Sequence, residues 1–173
     1  MAKDSTIHFV LMGGTIDSYY SGCKDTVITR KESIIERYIE GIKPYFKSKY
    51  TSIAMKDSRD LKLSDFKKMA KIIENSPHKK IIITHGTYAM SDSARYLKAH
   101  LKRKDQTIIF TGSMIPIDSF TFSDGGFNLG FAIAKLDSLE PGVYVCFNAC
   151  IFSPDEVAKQ LQAGKFFSIF SEK

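Results

Sequence analysis

Two short runs restrict the fold more than any other feature of the chain: KIIIT at residues 80–84 and TIIFT at residues 107–111 are apolar and mostly β-branched, without alternation. A strand with one face in water alternates apolar and polar side chains, whereas a strand that is covered on both faces does not. The two runs therefore predict strands inside a parallel sheet that has helices on both sides.

Strand-like and helix-like patterns alternate along the whole sequence. Strands are expected at Ile7–Met12, Ser52–Met55, Ile81–Thr84, Ile108–Thr111 and Val143–Phe147. Helices are expected at Lys31–Lys47, Leu63–Asn75, Met90–Lys102 and Phe127–Leu136. Ser64 and Ser153 are expected to cap helices, with Pro154 in the first position of the second one. The alternation of strands and helices implies right-handed crossover connections between parallel strands. We predict one doubly wound α/β domain over residues 1–173, Rossmann- or flavodoxin-like, with a mainly parallel sheet and helices on both faces.

The composition argues against several classes of protein. No apolar run approaches the roughly 20 residues of a membrane helix, and the start, MAKDSTIHFV, lacks the pattern of a secretory signal. The net charge of +6 is spread over helical segments such as DFKKMAKIIE, so nucleic-acid binding is not expected. The cysteines, Cys23, Cys146 and Cys150, form no CxxC pair and are odd in number. We therefore expect a cytoplasmic protein with no metal site.

Each of the five predicted strands is followed by a loop of small polar residues: GGTIDSYYSGCKD, KDSRD, HGTYAMSD, TGSMIP and NACIFSPDEVAK. In a doubly wound sheet, ligands bind at the carboxyl ends of the strands. The loops should therefore bring Thr15, Ser58, Thr87, Ser113 and Lys159 to one rim. This concentration predicts a ligand site, although each loop alone is weak evidence.

Three of these residues also have an ordinary structural interpretation. Thr15 follows Gly13 and Gly14, and it is either a turn residue or a nucleophile that a ligand can approach closely. The phosphate-binding patterns GxxxxGK[ST] and GxGxxG are absent, so no nucleotide cofactor is expected. Thr87 is either a helix cap or a second reactive hydroxyl. Lys159 is expected on a helix and is a surface lysine unless burial beside the threonines lowers its pKa and makes it a base.

Other polar residues near the rim are expected to be structural. His85 follows an apolar strand, where a histidine is more often hydrogen-bonded than catalytic. Asp57 and Ser58 are ordinary turn residues. Asp124 and Asn128 are expected to cap and begin the helix that follows the fourth strand.

Four segments together resemble a known family. LMGGTIDS, ITHGTYAMSDSARYL, FTGSM and SDGGFNLGFAIA occur in the order found in the amino-terminal domain of bacterial-type L-asparaginases and glutaminases, and they span nearly the whole chain. The resemblance implies hydrolysis of a small linear carboxamide to an acid and ammonia through a threonine acyl-enzyme. In this match Thr15 is the nucleophile, Thr87 the second active-site threonine and Lys159 the catalytic lysine. Tyr20 would help to activate the nucleophile, and Tyr19 is the alternative.

The same resemblance implies the contacts to the substrate. Ser58 would hold the α-carboxylate of the substrate, with Asp57 beside it. Ser113 would offer a backbone contact next to the amide. Gly14 and Gly86, from the two Gly-Thr signatures, would let the backbone approach the substrate closely.

The sequence departs from the family in two ways. Tyr88 stands where the family has an aspartate that would bind the amino group of the substrate, and tyrosine carries no charge at neutral pH because its reference pKa is about 10. Asp92, one helical turn further on, is a possible substitute. The carboxy-terminal domain of the family, which adds acidic contacts to a neighbouring subunit, is not expected here. Both differences predict that amides without a free α-amine suit the site better than asparagine.

Two classes of function remain open from the sequence. An amidohydrolase, assembled as a homodimer, is favoured by the two threonines, Ser58 and Lys159 in their expected places. A small-metabolite-binding module that keeps the fold but has weak or no activity is the alternative, and Tyr88 favours it.

Overall fold

Strands and helices alternate through residues 6–170, the part of the chain that the computed structural model describes. In chain order the elements are β1 (Thr6–Gly13), β2 (Ser18–Ser21), β3 (Thr26–Thr29), α1 (Ile35–Gly41), β4 (Lys47–Lys56), α2 (Leu63–Glu74), β5 (Lys80–Thr84), α3 (Met90–His100), β6 (Thr107–Thr111), α4 (Gly125–Lys135), β7 (Gly142–Phe147), β8 (Cys150–Phe152), β9 (Val157–Gln160) and β10 (Lys165–Ser168).

Six of the strands form one sheet in the order β4-β1-β5-β6-β7-β8. Every neighbouring pair from β4 to β7 is parallel, and only β8 runs antiparallel to its neighbour β7. Leu11 pairs with Thr84, and Thr84 pairs with Thr111, so β1, β5 and β6 end at the same edge. The sheet is mainly parallel with helices packed on it, as predicted, and the loops after these strands converge at one edge.

The β5 run shows why the apolar pattern does not alternate. Ile81 and Ile83 point into a core that they share with helices α2 and α3. Ile82, between them, points into a second core that contains residues of α1 and α4. All three isoleucines are fully buried. The sheet is therefore covered on both faces, as the sequence predicted.

Three of the four predicted helices are found close to their expected positions, at α2, α3 and α4. The helix predicted over Lys31–Lys47 is reduced to α1, because Lys43 adopts a positive φ of 51° and Pro44 cannot continue a helix. Lys47 instead begins β4, which is longer than the strand that was predicted there.

The predicted helix caps are wrong at both serines. Helix α2 begins at Leu63 rather than after Ser64, and the carboxylate of Asp65 accepts a hydrogen bond of 2.8 Å from the backbone N–H of Lys62. The segment after Ser153 contains no helix but the antiparallel hairpin of β9 and β10. Pro154 therefore does not open a helix.

Long-range contacts explain why that segment forms a hairpin. Glu156 accepts hydrogen bonds from the backbone N–H of Ser153 at 2.6 Å and from the hydroxyl of Ser168 at 2.9 Å, which ties the two ends of the hairpin together. Phe166 packs on Phe147 of the main sheet, with the ring centroids 4.8 Å apart. These contacts join residues that are distant in sequence, so the local pattern could not reveal them.

None of the helices within residues 6–170 is long and apolar enough to cross a membrane.

A buried histidine makes the stability of this fold sensitive to acid. His8 on β1 is 5% exposed, and its ring nitrogens lie 2.8 Å from the hydroxyls of Ser76 and Thr51. Burial lowers the pKa of His8 to about 4, and the nearby His78 and Lys49 act in the same direction.

We expect the free energy of unfolding to fall as the pH drops from about 6.5 to about 4. In that window the unfolded chain binds a proton at His8 and the folded chain does not, which amounts to about 3 kcal/mol for this residue. Urea unfolding of the wild type and of His8→Gln at several pH values measures the effect. The variant should show a shallower pH dependence, and an equal slope in both proteins would contradict the prediction.

Candidate active site

The site is built on a contact between two backbones. Gly14 follows β1 with a φ of 82°, and a Cβ atom on it would lie 2.2 Å from the Cα atom of Gly86, which follows β5. A Cβ atom on Gly86 would in turn lie 2.6 Å from the hydroxyl oxygen of Ser58. Only glycine fits both positions, because any larger side chain would separate the three loops. This packing brings Thr15, Ser58 and Thr87 to one point of the sheet edge.

A polar cavity of about 190 Å³ opens at that point. It is lined by Gly14, Thr15, Asp57, Ser58, Arg59, Gly86, Thr87, Tyr88 and Lys159. The structure thus places around one cavity every residue predicted for the site except Tyr20 and Ser113. It also adds Arg59, which the sequence analysis did not single out.

The shortest contact in the cavity joins Lys159 and Thr87. The ammonium of Lys159 donates a hydrogen bond of 2.7 Å to the hydroxyl of Thr87, which is 5% exposed. Burial lowers the pKa of Lys159, and the positive charge of Arg59 lowers it further. A lysine that loses its proton more easily than usual, in contact with a hydroxyl, is suited to act as a base.

Lys159 reaches this position from β9, on the far side of a turn that is tied to helix α3. Arg95 on α3 donates a hydrogen bond of 3.2 Å to the carbonyl of Pro154. Lys98, also on α3, forms an ion pair with Asp155. Opposite Lys159 in the hairpin, Phe166 is buried. The side chain of Lys159 is therefore delivered by an element that is anchored at several points.

Arg59 and Asp57 form a bidentate ion pair at the mouth of the cavity. The guanidinium donates through Nε to Asp57 at 3.0 Å and through Nη2 at 2.8 Å. These hydrogen bonds hold the pKa of Asp57 below its usual range. The same guanidinium lies 6.0 Å from the centre of the Tyr88 ring. The only sign of this arrangement in the sequence is the arginine inside KDSRD.

Two predicted site residues lie away from the cavity. Tyr20 is exposed on β2, where its hydroxyl donates to Asp25 at 2.5 Å and its ring packs on Phe120. Tyr19, the alternative, lies under the guanidinium of Arg30. Ser113 is fully buried, and its hydroxyl has no hydrogen-bond partner among residues 6–170.

The residues expected to be structural make structural contacts. The carboxylate of Asp124 accepts hydrogen bonds from the backbone N–H groups of Met114 and Ile115, at 2.9 to 3.0 Å. The side-chain amide of Asn128 bridges the carbonyl of Gly112 and the N–H of Asn148. These bonds fix the loop that follows β6.

His85 is fully buried behind the cavity. Its Nδ1 lies 2.7 Å from the carbonyl of Gly86, so this nitrogen carries the proton, and its Nε2 accepts from the hydroxyl of Ser93 at 2.8 Å. Burial lowers its pKa to about 4. A neutral imidazole therefore holds the Gly86 loop in place. Asp92, the possible substitute acid, pairs with Arg95 at 2.7 Å and does not line the cavity.

We expect Gly14→Ala to destabilise the fold strongly. The positive φ costs an alanine about 1 to 3 kcal/mol, and the overlap with Gly86 costs a similar amount. Gly130→Ala is the matched control, because Gly130 lies on the exposed face of α4 with no atom within 4 Å of an added Cβ. The control should gain about 0.5 to 1 kcal/mol through helix propensity. Denaturant unfolding compares the two variants, and a Gly14→Ala protein of unchanged stability would contradict the packing argument.

Comparison with known proteins places this geometry in a family. Residues 6–169 match the sequence model of the family described as Asparaginase, N-terminal. The fold is similar to that of L-asparaginase I from Vibrio cholerae, with a TM-score of 0.80 and 23% identity. The superposed region covers 94% of this chain and 51% of that chain. The probable cytoplasmic L-asparaginase from Campylobacter jejuni gives a TM-score of 0.75 at 26% identity, again over 94% of this chain and 52% of that one.

A curated relative differs more in length. The 60 kDa lysophospholipase of Homo sapiens is 29% identical over 111 residues, which are 63% of this chain and 18% of that protein. The present chain thus spans about half of the two asparaginases and less than a fifth of the lysophospholipase. Because the family match extends over nearly all the described residues, the chain belongs to the asparaginase family and corresponds to its N-terminal domain.

Proposed function

We propose that the protein hydrolyses a small carboxamide to an acid and ammonia, with Thr15 as the nucleophile. The observation that carries this proposal is the 2.7 Å hydrogen bond between Lys159 and Thr87, in the cavity that Thr15 also lines. A hydroxyl nucleophile beside a second hydroxyl and a lysine of lowered pKa is an arrangement for acyl transfer. Membership of the asparaginase family supports the same reaction class.

In the first step, the hydroxyl of Thr15 attacks the carbonyl carbon of the amide. The C–N bond then breaks, the proton of the Thr15 hydroxyl is transferred to the nitrogen, and ammonia leaves. The acyl group remains as an ester on the Thr15 oxygen. Thr15 is partly buried and donates no side-chain hydrogen bond to another residue of the described chain, so its hydroxyl is available to a substrate.

In the second step, water attacks the ester. Lys159, in its neutral form, takes a proton from the water through the hydroxyl of Thr87. The bond to Thr15 breaks, the proton that Lys159 took up is passed to the Thr15 oxygen, and the acid is released with the threonine hydroxyl restored. Burial of Lys159 assists this step because it lowers the cost of losing the lysine proton.

Ser58 and the loop around it are proposed to bind the carboxylate of the substrate. Ser58 is 4% exposed, and its hydroxyl accepts a hydrogen bond of 3.3 Å from the backbone N–H of Ala89, so its own proton remains available to an anion. Asp57 opens the same short turn and orients Arg59. Assembly as a homodimer remains a prediction.

Tyr20 is proposed to approach Thr15 only when the β2–β3 hairpin moves. Its hydroxyl must then exchange Asp25 for a partner in the cavity, and its ring must leave Phe120. The hairpin begins at Ser18, three residues after Thr15, so a movement of this segment would change the position of Tyr20 relative to the cavity.

A metabolite-binding module without turnover is the second candidate. The position of Tyr20 outside the cavity favours it, since no side chain between residues 6 and 170 then makes a hydrogen bond to the hydroxyl of Thr15. The replacement of the family's aspartate by Tyr88, which is 59% exposed, favours it as well. In that case the cavity would bind a small carboxylate and leave it unchanged.

Ammonia release from a panel of amides separates the two candidates. We expect turnover of at least one of L-asparagine, L-glutamine, their D-forms, N-acylated forms and peptide amides. Thr15→Ala should abolish it, while Thr121→Ala, which changes an exposed threonine, should not. Equal turnover in Thr15→Ala would refute the threonine mechanism. A folded protein that releases no ammonia from any of these amides would favour the binding module.

The pH dependence tests the role of Lys159. Because the neutral lysine is the base, kcat/KM should rise with pH through the pKa of Lys159, which lies below the usual value of a lysine. Lys159→Met should lower kcat by about 10²- to 10⁴-fold and remove this limb of the profile. Lys165→Met, which removes an exposed lysine from the same hairpin, is the control. A Lys159→Met enzyme with the wild-type pH profile would exclude the lysine as base.

A further inference from the structure

Among residues 6–170, no carboxylate that lines the cavity is free of a cationic partner. Asp57 is the only acidic residue of this range in the lining, and both its carboxylate oxygens accept hydrogen bonds from Arg59. The remaining charge comes from Lys159, whose ammonium is bonded to Thr87. A substrate with a free α-amine would therefore meet positive charge with no uncompensated anion beside it, which is unfavourable.

The mouth of the cavity offers hydrogen-bond donors instead. Nη1 of Arg59 makes no hydrogen bond to any residue between 6 and 170, and the side chain of Arg59 is 66% exposed. The hydroxyl of Tyr88 is also without a hydrogen-bond partner in that range. Guanidinium and phenol groups donate to carbonyl oxygens and to anions, and the guanidinium cannot accept from an ammonium. The chemistry at this position fits a carbonyl oxygen or an anion and does not fit an ammonium group.

A second cavity of about 350 Å³ adjoins the first, and Tyr88 and Lys159 line both. Its wall combines the apolar side chains of Val157, Leu161 and Ile169 with the ion pair of Asp92 and Arg95. Leu161 and Ile169 are more than half exposed. A substituent that leaves the first cavity past Tyr88 would therefore find both space and apolar contact.

We propose that Arg59 is a specificity-determining residue and that the substrates are carboxamides whose α-amine is acylated. Arg59 and Tyr88 would donate hydrogen bonds to the acyl carbonyl, and the rest of the acyl group would lie in the second cavity. Acylation removes the ammonium charge that Arg59 and Lys159 would repel. This inference rests on the proposed amide hydrolysis and names the substrate class of that same site.

Binding to Thr15→Ala tests the inference without turnover. Calorimetric titrations with L-asparagine and N-acetyl-L-asparagine compare ligands that differ only in the acylation of the amine. We expect N-acetyl-L-asparagine to bind at least about tenfold more tightly, the ratio that corresponds to about 1.4 kcal/mol. In the wild type, kcat/KM should likewise be higher for N-acetyl-L-asparagine than for L-asparagine.

Arg59→Met in the same background is the decisive variant. It removes a positive charge that repels the free amine. It also leaves the Asp57 carboxylate without its partner and so able to bind that amine. The preference for the acylated ligand should fall by at least about tenfold. Arg59→Lys, which keeps the charge, should retain much of the preference. Arg37→Met, which removes a positive charge from the exposed face of α1, should leave the ratio unchanged.

The outcomes separate this inference from the proposed function. Preference for L-asparagine in the wild type, or an unchanged ratio in Arg59→Met, would overturn the role of Arg59. If free asparagine is then hydrolysed and Thr15→Ala abolishes the reaction, the proposed function stands without the proposed role of Arg59. If the folded protein neither binds nor hydrolyses either ligand, the inference is overturned, and the proposed function is then decided by the other amides of the panel.

Discussion

The contact between Gly14 and Gly86 is the constraint on which the rest of the site depends. Two parallel strands end side by side, and the loops that follow them can meet only because neither carries a side chain at the point of contact. Ser58 closes the third side against Gly86. The positions of Thr15 and Thr87 are thereby set by backbone packing, and the hydroxyl of Thr87 is also held by its hydrogen bond to Lys159. The side chains that are proposed to react are therefore attached to a closely packed backbone.

Much of this arrangement follows from the sequence because it depends on local rules. The apolar runs of β5 and β6 predict strands with two covered faces, and parallel strands place their following loops at one edge. That reasoning alone brings Thr15, Thr87 and Ser58 together. The resemblance to asparaginases adds their expected roles.

The parts that the sequence did not reveal depend on which of several possible partners a side chain contacts, either nearby or far along the chain. Lys159 was expected on a helix and lies on a strand, because Glu156 bonds to Ser168 and Phe166 packs on the main sheet. The pairing of Arg59 with Asp57 was missed because an arginine in a loop has many possible partners and only the turn geometry selects one. Tyr20 lies outside the cavity for a similar reason, since its position is set by Asp25 and an aromatic neighbour.

Lys159 and the other residues of the site are carried by two different structural units. The surface that would bind a carboxylate belongs to the central sheet, whereas the proposed base arrives on a two-stranded hairpin outside that sheet. Natural variation in the hairpin can therefore change or remove the base while the packing of Gly14, Gly86 and Ser58 stays intact. Under the proposed mechanism, a change in this small peripheral element alone is enough to convert an enzyme into a receptor for the same ligand.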